Sequence, residues 1–142
     1  MNNISINTVI AALIAHLKAD APLIVLLTNA DGSIEIREMQ WKGTDFKYPA
    51  VRVRLDLEVP PNCPPYIAHI TISAYSENKS SKEANNIIEK ACDSLHQKTF
   101  SQTIFGVSVR FSSVLVQNVH HAESSEDGNE WIATLDVKAL VN

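Results

Sequence analysis

"HITISAYSENKSSKEANNIIEKACDSL", His69 to Leu95, changes its period halfway along. Up to Tyr75 the residues alternate. Ala68, Ile70, Ile72 and Ala74 share one side, and Ile67, His69, Thr71, Ser73 and Tyr75 take the other, the pattern of a half-buried strand. From Ala84 the period is helical: Ala84, Ile87, Ile88, Ala91, Cys92 and Leu95 make one apolar stripe. The joint between them places Glu83 three residues after Ser80, the S-x-x-E spacing of a capping box. A strand feeding a helix through such a joint is a common place for a phosphate loop or a catalytic group. Here the joint holds only serines, an asparagine, a glutamate and lysines, and the serines are accounted for by starting the helix.

Working outward, Ile6, Val9, Ile10, Leu13, Ile14 and Leu17 form a second helical stripe, which predicts a helix from about Ile6 to Ala19 with Ser5 as its N-cap. Pro22 disfavours helical geometry in Ala21 and ends it. "LIVLLTNA" after it fits a short helix or a buried strand equally, because periodicity does not separate the two. Asp31-Gly32 predicts a turn leading into the alternating "SIEIREM". "WKGTDFKYP" reads as loop. "AVRVRLDLEV" alternates strictly, with Val51, Val53, Leu55 and Leu57 toward a core and Arg52, Arg54, Asp56 and Glu58 on a wet face. "PPNCPP" cannot pair in a sheet and reads as a stiff loop. Beyond the second helix, "TIFGVSVRFSSVLVQNV" puts Phe105, Val107, Val109 and Phe111 on one face. Val114 and Val116 continue at the opposite parity, so a β-bulge is expected at Ser112-Ser113. "HHAESSEDGNE" reads as a polar, mobile hairpin loop, and "WIATLDVKALV" as the last strand. The expected architecture is a single α+β domain spanning residues 1–142. It has a mostly antiparallel sheet of about four to five strands, with two amphipathic helices packed on one face.

Composition suits a globular chain of this size: 142 residues, 45% hydrophobic, 20% charged, net charge −4. The acidic balance argues against nonspecific nucleic-acid binding, which needs a basic face. The first twenty residues lack the leading positive charge of a signal peptide, and no stretch reaches membrane-spanning length. Cys63 and Cys92 are read as reduced thiols rather than a bridge. No C-x-x-C pair supports zinc.

Catalytic patterns are missing from the sequence. His69 and Ser73 share a strand face but lie about 13 Å apart along it, too far for a nucleophile pair. No G-x-S-x-G, Walker or dinucleotide-binding pattern occurs. Cys92 falls on the buried stripe and is not an activated thiol. His120 and His121 lack a third ligand on their own element and read as solvated; His16 reads as a boundary residue. No cofactor or metal is implied, and no enzymatic activity. Two charged features are left as contact surfaces: the strand face Arg52, Arg54, Asp56 and Glu58, and the segment His120, His121, Glu123, Glu126 and Asp127.

The layout as a whole resembles the tail terminator, or tail completion, proteins of long-tailed bacteriophages. The pieces that carry this likeness are "VIAALIAHLKADAPLIVLL", "YPAVRVRLDL", "ITISAYSENKSSKEANNIIEKACDSL", "FGVSVRFSSVLVQN" and "NEWIATLDVKALV". "PPNCPP" and the arginine-rich second strand do not match the family layout. The resemblance implies a non-enzymatic virion protein, made in the host cytoplasm and placed at the tail and neck. Its copies would close into a ring, usually a hexamer, on the end of the tail tube. There it would stop tube polymerisation and present a surface to the head connector or stopper protein, with DNA passing through the lumen unbound. Another neck component, such as a head–tail joining or stopper protein, fits the same layout. A small ligand-binding or hydrolase domain would need a pocket with convergent polar groups.

Overall fold

The computed structural model describes residues 4–39, 47–58 and 65–142. The expected loops "WKGTDFKYP" and "PPNCPP" fall largely outside these residues, and Cys63 wholly so. Among the described residues the elements are α1 (Ile6–Lys18), α2 (Ala21–Leu27), β1 (Ile36–Glu38), β2 (Ala50–Glu58), β3 (Tyr66–Ser76), α3 (Lys82–Leu95), β4 (Phe100–Ile104), β5 (Val107–Ser124) and β6 (Trp131–Val141). The α+β expectation holds, with six strands instead of four or five and a third helix.

The strands form one sheet in the order β1-β2-β3-β6-β5-β4. Only β1 and β2 run parallel; the remaining pairs are antiparallel. Helix α3 packs against β3, β6 and β5 in the middle of the sheet. Helix α1 touches β1 and β2 near one edge and β4 and β5 near the other, so the sheet curls around it. The core lies between: Leu13, Leu17, Ile87, Ile88 and Leu95 from the helices meet Val53, Ile70, Ile72, Phe111, Leu135 and Val137 from the sheet. Ser5 caps α1 as expected, accepting from the Thr8 N–H at 3.2 Å. The first part of "LIVLLTNA", up to Leu27, is helix because Asp20 starts a new one, its carboxylate accepting from Leu23 N–H at 3.1 Å, while Thr28 is extended and bridges to Ile34. Pro22 sits in the first turn, where a missing N–H costs nothing. Helices α1 and α2 meet at 87°. No single helix among the described residues is long and apolar enough to cross a membrane.

Three expectations are corrected. The capping box does not form. Ser81 is the N-cap of α3 and makes no side-chain cap bond, while the Ser80 hydroxyl accepts from Lys82 N–H. Glu83 turns back to the end of β3 instead, accepting from Ser76 Oγ at 2.8 Å and Asn78 Nδ2 at 3.3 Å. Ser76 is fully buried, and its hydroxyl needs that acceptor. Secondly, Phe105 is not on the apolar face of a continuous strand. Phe105 and Gly106 have φ of 48° and 79° and form a two-residue turn that divides β4 from β5. Two positive φ values mark a type I′ hairpin. Thirdly, the polar loop is shorter than expected. β5 runs to Ser124 and takes in His120, His121 and Glu123, leaving a turn only from Ser125 to Glu130. The bulge at Ser112-Ser113 is present. The β5–β6 register slips between Ser112 and Leu115, and Ser113 has φ 49°. That slip lets Phe111 and Val114 both reach the core.

His16 ties three elements together. Its Nε2 lies 3.0 Å from the Ser94 carbonyl oxygen and 3.2 Å from Ser94 Oγ. Its ring stacks on Phe100 at 3.6 Å, and Phe100 stacks on Phe111 at 4.7 Å. The boundary position expected for this histidine is thus a packing position between α1, α3 and the β4–β5 hairpin.

Candidate assembly surface

The face of the sheet away from the helices is polar, and its register sorts it into cross-strand rows. Arg54, Thr71, Asp136 and Asn118 stand side by side on β2, β3, β6 and β5. The next row is Asp56, His69, Lys138 and Leu115. Polar and charged groups pair within and between rows. Arg54 Nε is 3.8 Å from Asp56 Oδ2, His69 Nε2 is 3.3 Å from Glu58 Oε2, and His120 Nε2 is 3.4 Å from Asp136 Oδ2. Thr71 Oγ1 donates to Asp136 Oδ1 at 3.3 Å. Arg54, Asp56, Glu58, His69 and His120 are all exposed. Such pairs on an open face contribute little to a monomer, about 0–1 kcal/mol each. They do set a charge pattern that a partner can read.

Of the residues read from the sequence, Arg54, Asp56, Glu58 and His120 come together on this face. Arg52 does not. Expected on the wet side, it is only 4% exposed, because β1 brings Glu35 in beside it. Glu35, itself 3% exposed, lies 3.5 Å from Arg52 Nη2 and accepts from Arg37 Nε. Burial pulls the Arg52 guanidinium below its ordinary pKa, and Glu35 opposes that shift. Sequence reasoning missed Glu35. The signal available was an acid inside the alternating "SIEIREM", at the polar parity, and that is too weak to assign a buried ion pair.

His121, Glu123, Glu126 and Asp127 belong to the end of the molecule, not to the rows. Glu126 and Asp127 lie in the β5–β6 turn, which is internally bonded. Ser125 N–H donates to the Glu130 carbonyl, and Asp127 Oδ1 accepts from Ser125 Oγ at 2.6 Å and Asn129 N–H at 3.0 Å. These donors hold the Asp127 carboxyl below the usual range. The segment is a built turn, and Asp127 serves it. Across from it, Tyr48 donates to Glu130 Oε2 at 2.6 Å. Burial first, then Glu130, raises the Tyr48 hydroxyl pKa, with Glu77 and Asp127 adding to the effect. This end of the sheet is therefore dense in carboxylates.

Nothing among the described residues gathers three His, Cys, Asp or Glu side chains as a metal would need. Cys92 is half-buried, and burial raises its thiol pKa. A depression of about 220 Å³, lined by polar and apolar groups together, lies where β1 stops and β2 continues, between Met39, Leu55 and the first turns of α1.

No family model and no curated protein matches the chain. A solved structure does. A chain of the "Virion of native gene transfer agent (GTA) particle" is similar with a TM-score of 0.70 and 18% sequence identity, over 92% of this chain and 92% of that one. At that identity the likeness is one of fold, and it extends over nearly the whole of both chains.

Proposed function

We propose that this protein is a structural component of a phage-like virion, a tail terminator whose copies close into a ring, hexameric in number, at the head-proximal end of the tail tube. The observation that carries this reading is the end-to-end fold likeness to a virion chain, in a sequence whose layout independently resembles tail terminators. The open, mixed-charge sheet face fits the same role, since a ring repeats one heterologous contact until rotation closes it. In that ring the tail tube protein docks on one side and the head connector or stopper on the other. The carboxylate-rich end, in a chain of net charge −4, suits a lumen through which DNA slides, because fixed negative charge repels phosphates. Arg54, Asp56, Glu58 and His120 are the residues assigned to the contact between copies. The functional groups act by shape and charge, and no catalytic step is assigned to them.

The test combines the mass of the protein in solution, alone and with tube ends, with electron microscopy of tails made in its absence. Overlong tails without the protein, and a closed oligomer on tube ends with it, are expected. Normal tail length in its absence would overturn the assignment. Copurification with the portal assembly in place of tube protein would move it to the head–tail joining reading.

A further inference from the structure

We infer that successive copies of this chain lock head to tail by a knob and a socket: Phe105 at the tip of the β4–β5 hairpin enters the depression beside α1 and β2 of the next copy. This inference rests on the ring reading and specifies its contact.

The knob is marked by three facts. Phe105 is fully exposed, so it adds nothing to the core of its own chain. It occupies the first central position of a type I′ turn with φ 48°, where asparagine, aspartate or glycine fits and a bulky residue is strained. Strain kept at an exposed tip points to a task outside the monomer. The hairpin behind it is also polarised: from Lys98 to Arg110 the chain contains those two basic residues and no acidic one.

The socket lies at the opposite edge of the sheet. β1 pairs with β2 only from Val51 to Val53, so from Arg54 onward β2 has no partner strand on that side among the described residues. The depression there measures about 220 Å³. Roughly 150 Å³ is enough to hold a benzene ring, so the depression has the room for a phenyl group. Ile6, Ile10, Met39, Val53 and Leu55 supply the apolar part of its wall, and Ile6, 42% exposed, offers apolar surface at its mouth. Glu38, Arg54 and Asp56 stand on its rim, with Arg54 3.8 Å from Asp56; two carboxylates against one guanidinium leave the rim acidic on balance, opposite in sign to Lys98 and Arg110 of an incoming hairpin. Knob and socket are different surfaces of one chain at opposite sheet edges. Their union is therefore heterologous and propagates from copy to copy until a ring closes. A buried aromatic anchor in a pocket with a charged rim is the usual form of an interface hot spot.

The experiment uses two full-length chains in a Cys63→Ser, Cys92→Ala background, one carrying Phe105→Cys and the other Ile6→Cys. Mixed under oxidation, they are expected to give a disulfide-linked dimer that neither forms alone. In the natural cysteine background, Phe105→Asn is expected to weaken self-association by at least about tenfold while the chain stays folded. A Phe105→Cys chain that links to itself would overturn the inference by making the contact symmetric. A normal closed oligomer from Phe105→Asn, with no cross-link in the mixture, would overturn it and leave the ring reading standing. A wild-type chain that stays monomeric with and without tube ends would end both.

Discussion

Phe105 separates what a residue does for its own fold from what it does for an assembly. The I′ turn at Phe105-Gly106 asks for a side chain that tolerates positive φ, and phenylalanine is a poor choice. Phe105→Asn should therefore raise the stability of the monomer by about 1 kcal/mol, read as a higher urea midpoint at unchanged slope. An unchanged or lower midpoint would mean that the ring packs usefully on its own chain. Arg52 makes the reverse case. Strict alternation put it on the wet face with Arg54, and parity alone could give no other answer. What parity could not carry was the position of Glu35, which depends on a three-residue parallel strand laid against β2. With Glu35 removed, as in Glu35→Ala, Arg52 keeps its burial and loses a carboxylate. The cost should be about 3 kcal/mol in denaturant unfolding, and much less if water reaches the guanidinium.

Among the elements, legibility followed the strength of the period. The stripes of α1 and α3, the alternation of β2, β3 and β6, and the bulge in β5 were all readable, because each repeats its signal over several residues. The boundaries that failed rest on single contacts: Glu83 preferring the buried Ser76 hydroxyl to a capping box, and Gly106 closing a two-residue turn inside an otherwise alternating run. The α2–β1 connection shows how strongly a turn can depend on one carboxylate. Asp31 accepts from Lys47 Nζ at 2.7 Å, from Ser33 Oγ at 2.6 Å and from Ser33 N–H at 2.9 Å. Lys47 first, then Ser33, lowers its pKa well below the ordinary 3.8. A depressed folded-state pKa means stability that is present above the ordinary carboxylate value and lost as pH falls through and below it. The melting temperature should thus drop as the solution is acidified below about pH 4, and Asp31→Asn should flatten that slope. A mutant whose acid limb matches the wild type would remove Asp31 from the acid response.

For the whole molecule, most of the candidate surface was visible in the sequence as charge alternation, whereas its register against β3, β6 and β5 needed the fold. Arg54 is the position where that surface can be probed without disturbing the monomer. Its side chain is 66% exposed and pairs with the equally open Asp56 at 3.8 Å, so Arg54→Glu should change monomer stability by no more than about 0.5 kcal/mol. Arg52 is unsuited to the same test, since a charge reversal there would set two carboxylates together in the interior. If copies meet through this face, reversing Arg54 replaces an attraction with a repulsion beside Asp56 and Glu58, and association weakens. The repulsion acts through solvent and is screened over about 10 Å at 0.1 M salt, so the defect should be largest at low ionic strength and shrink as salt is added. Sedimentation of wild type and Arg54→Glu across a salt series reads both effects. A variant that assembles like the wild type at every ionic strength would take the Arg54 row out of the contact, and the hairpin at the other edge would have to hold the copies without it.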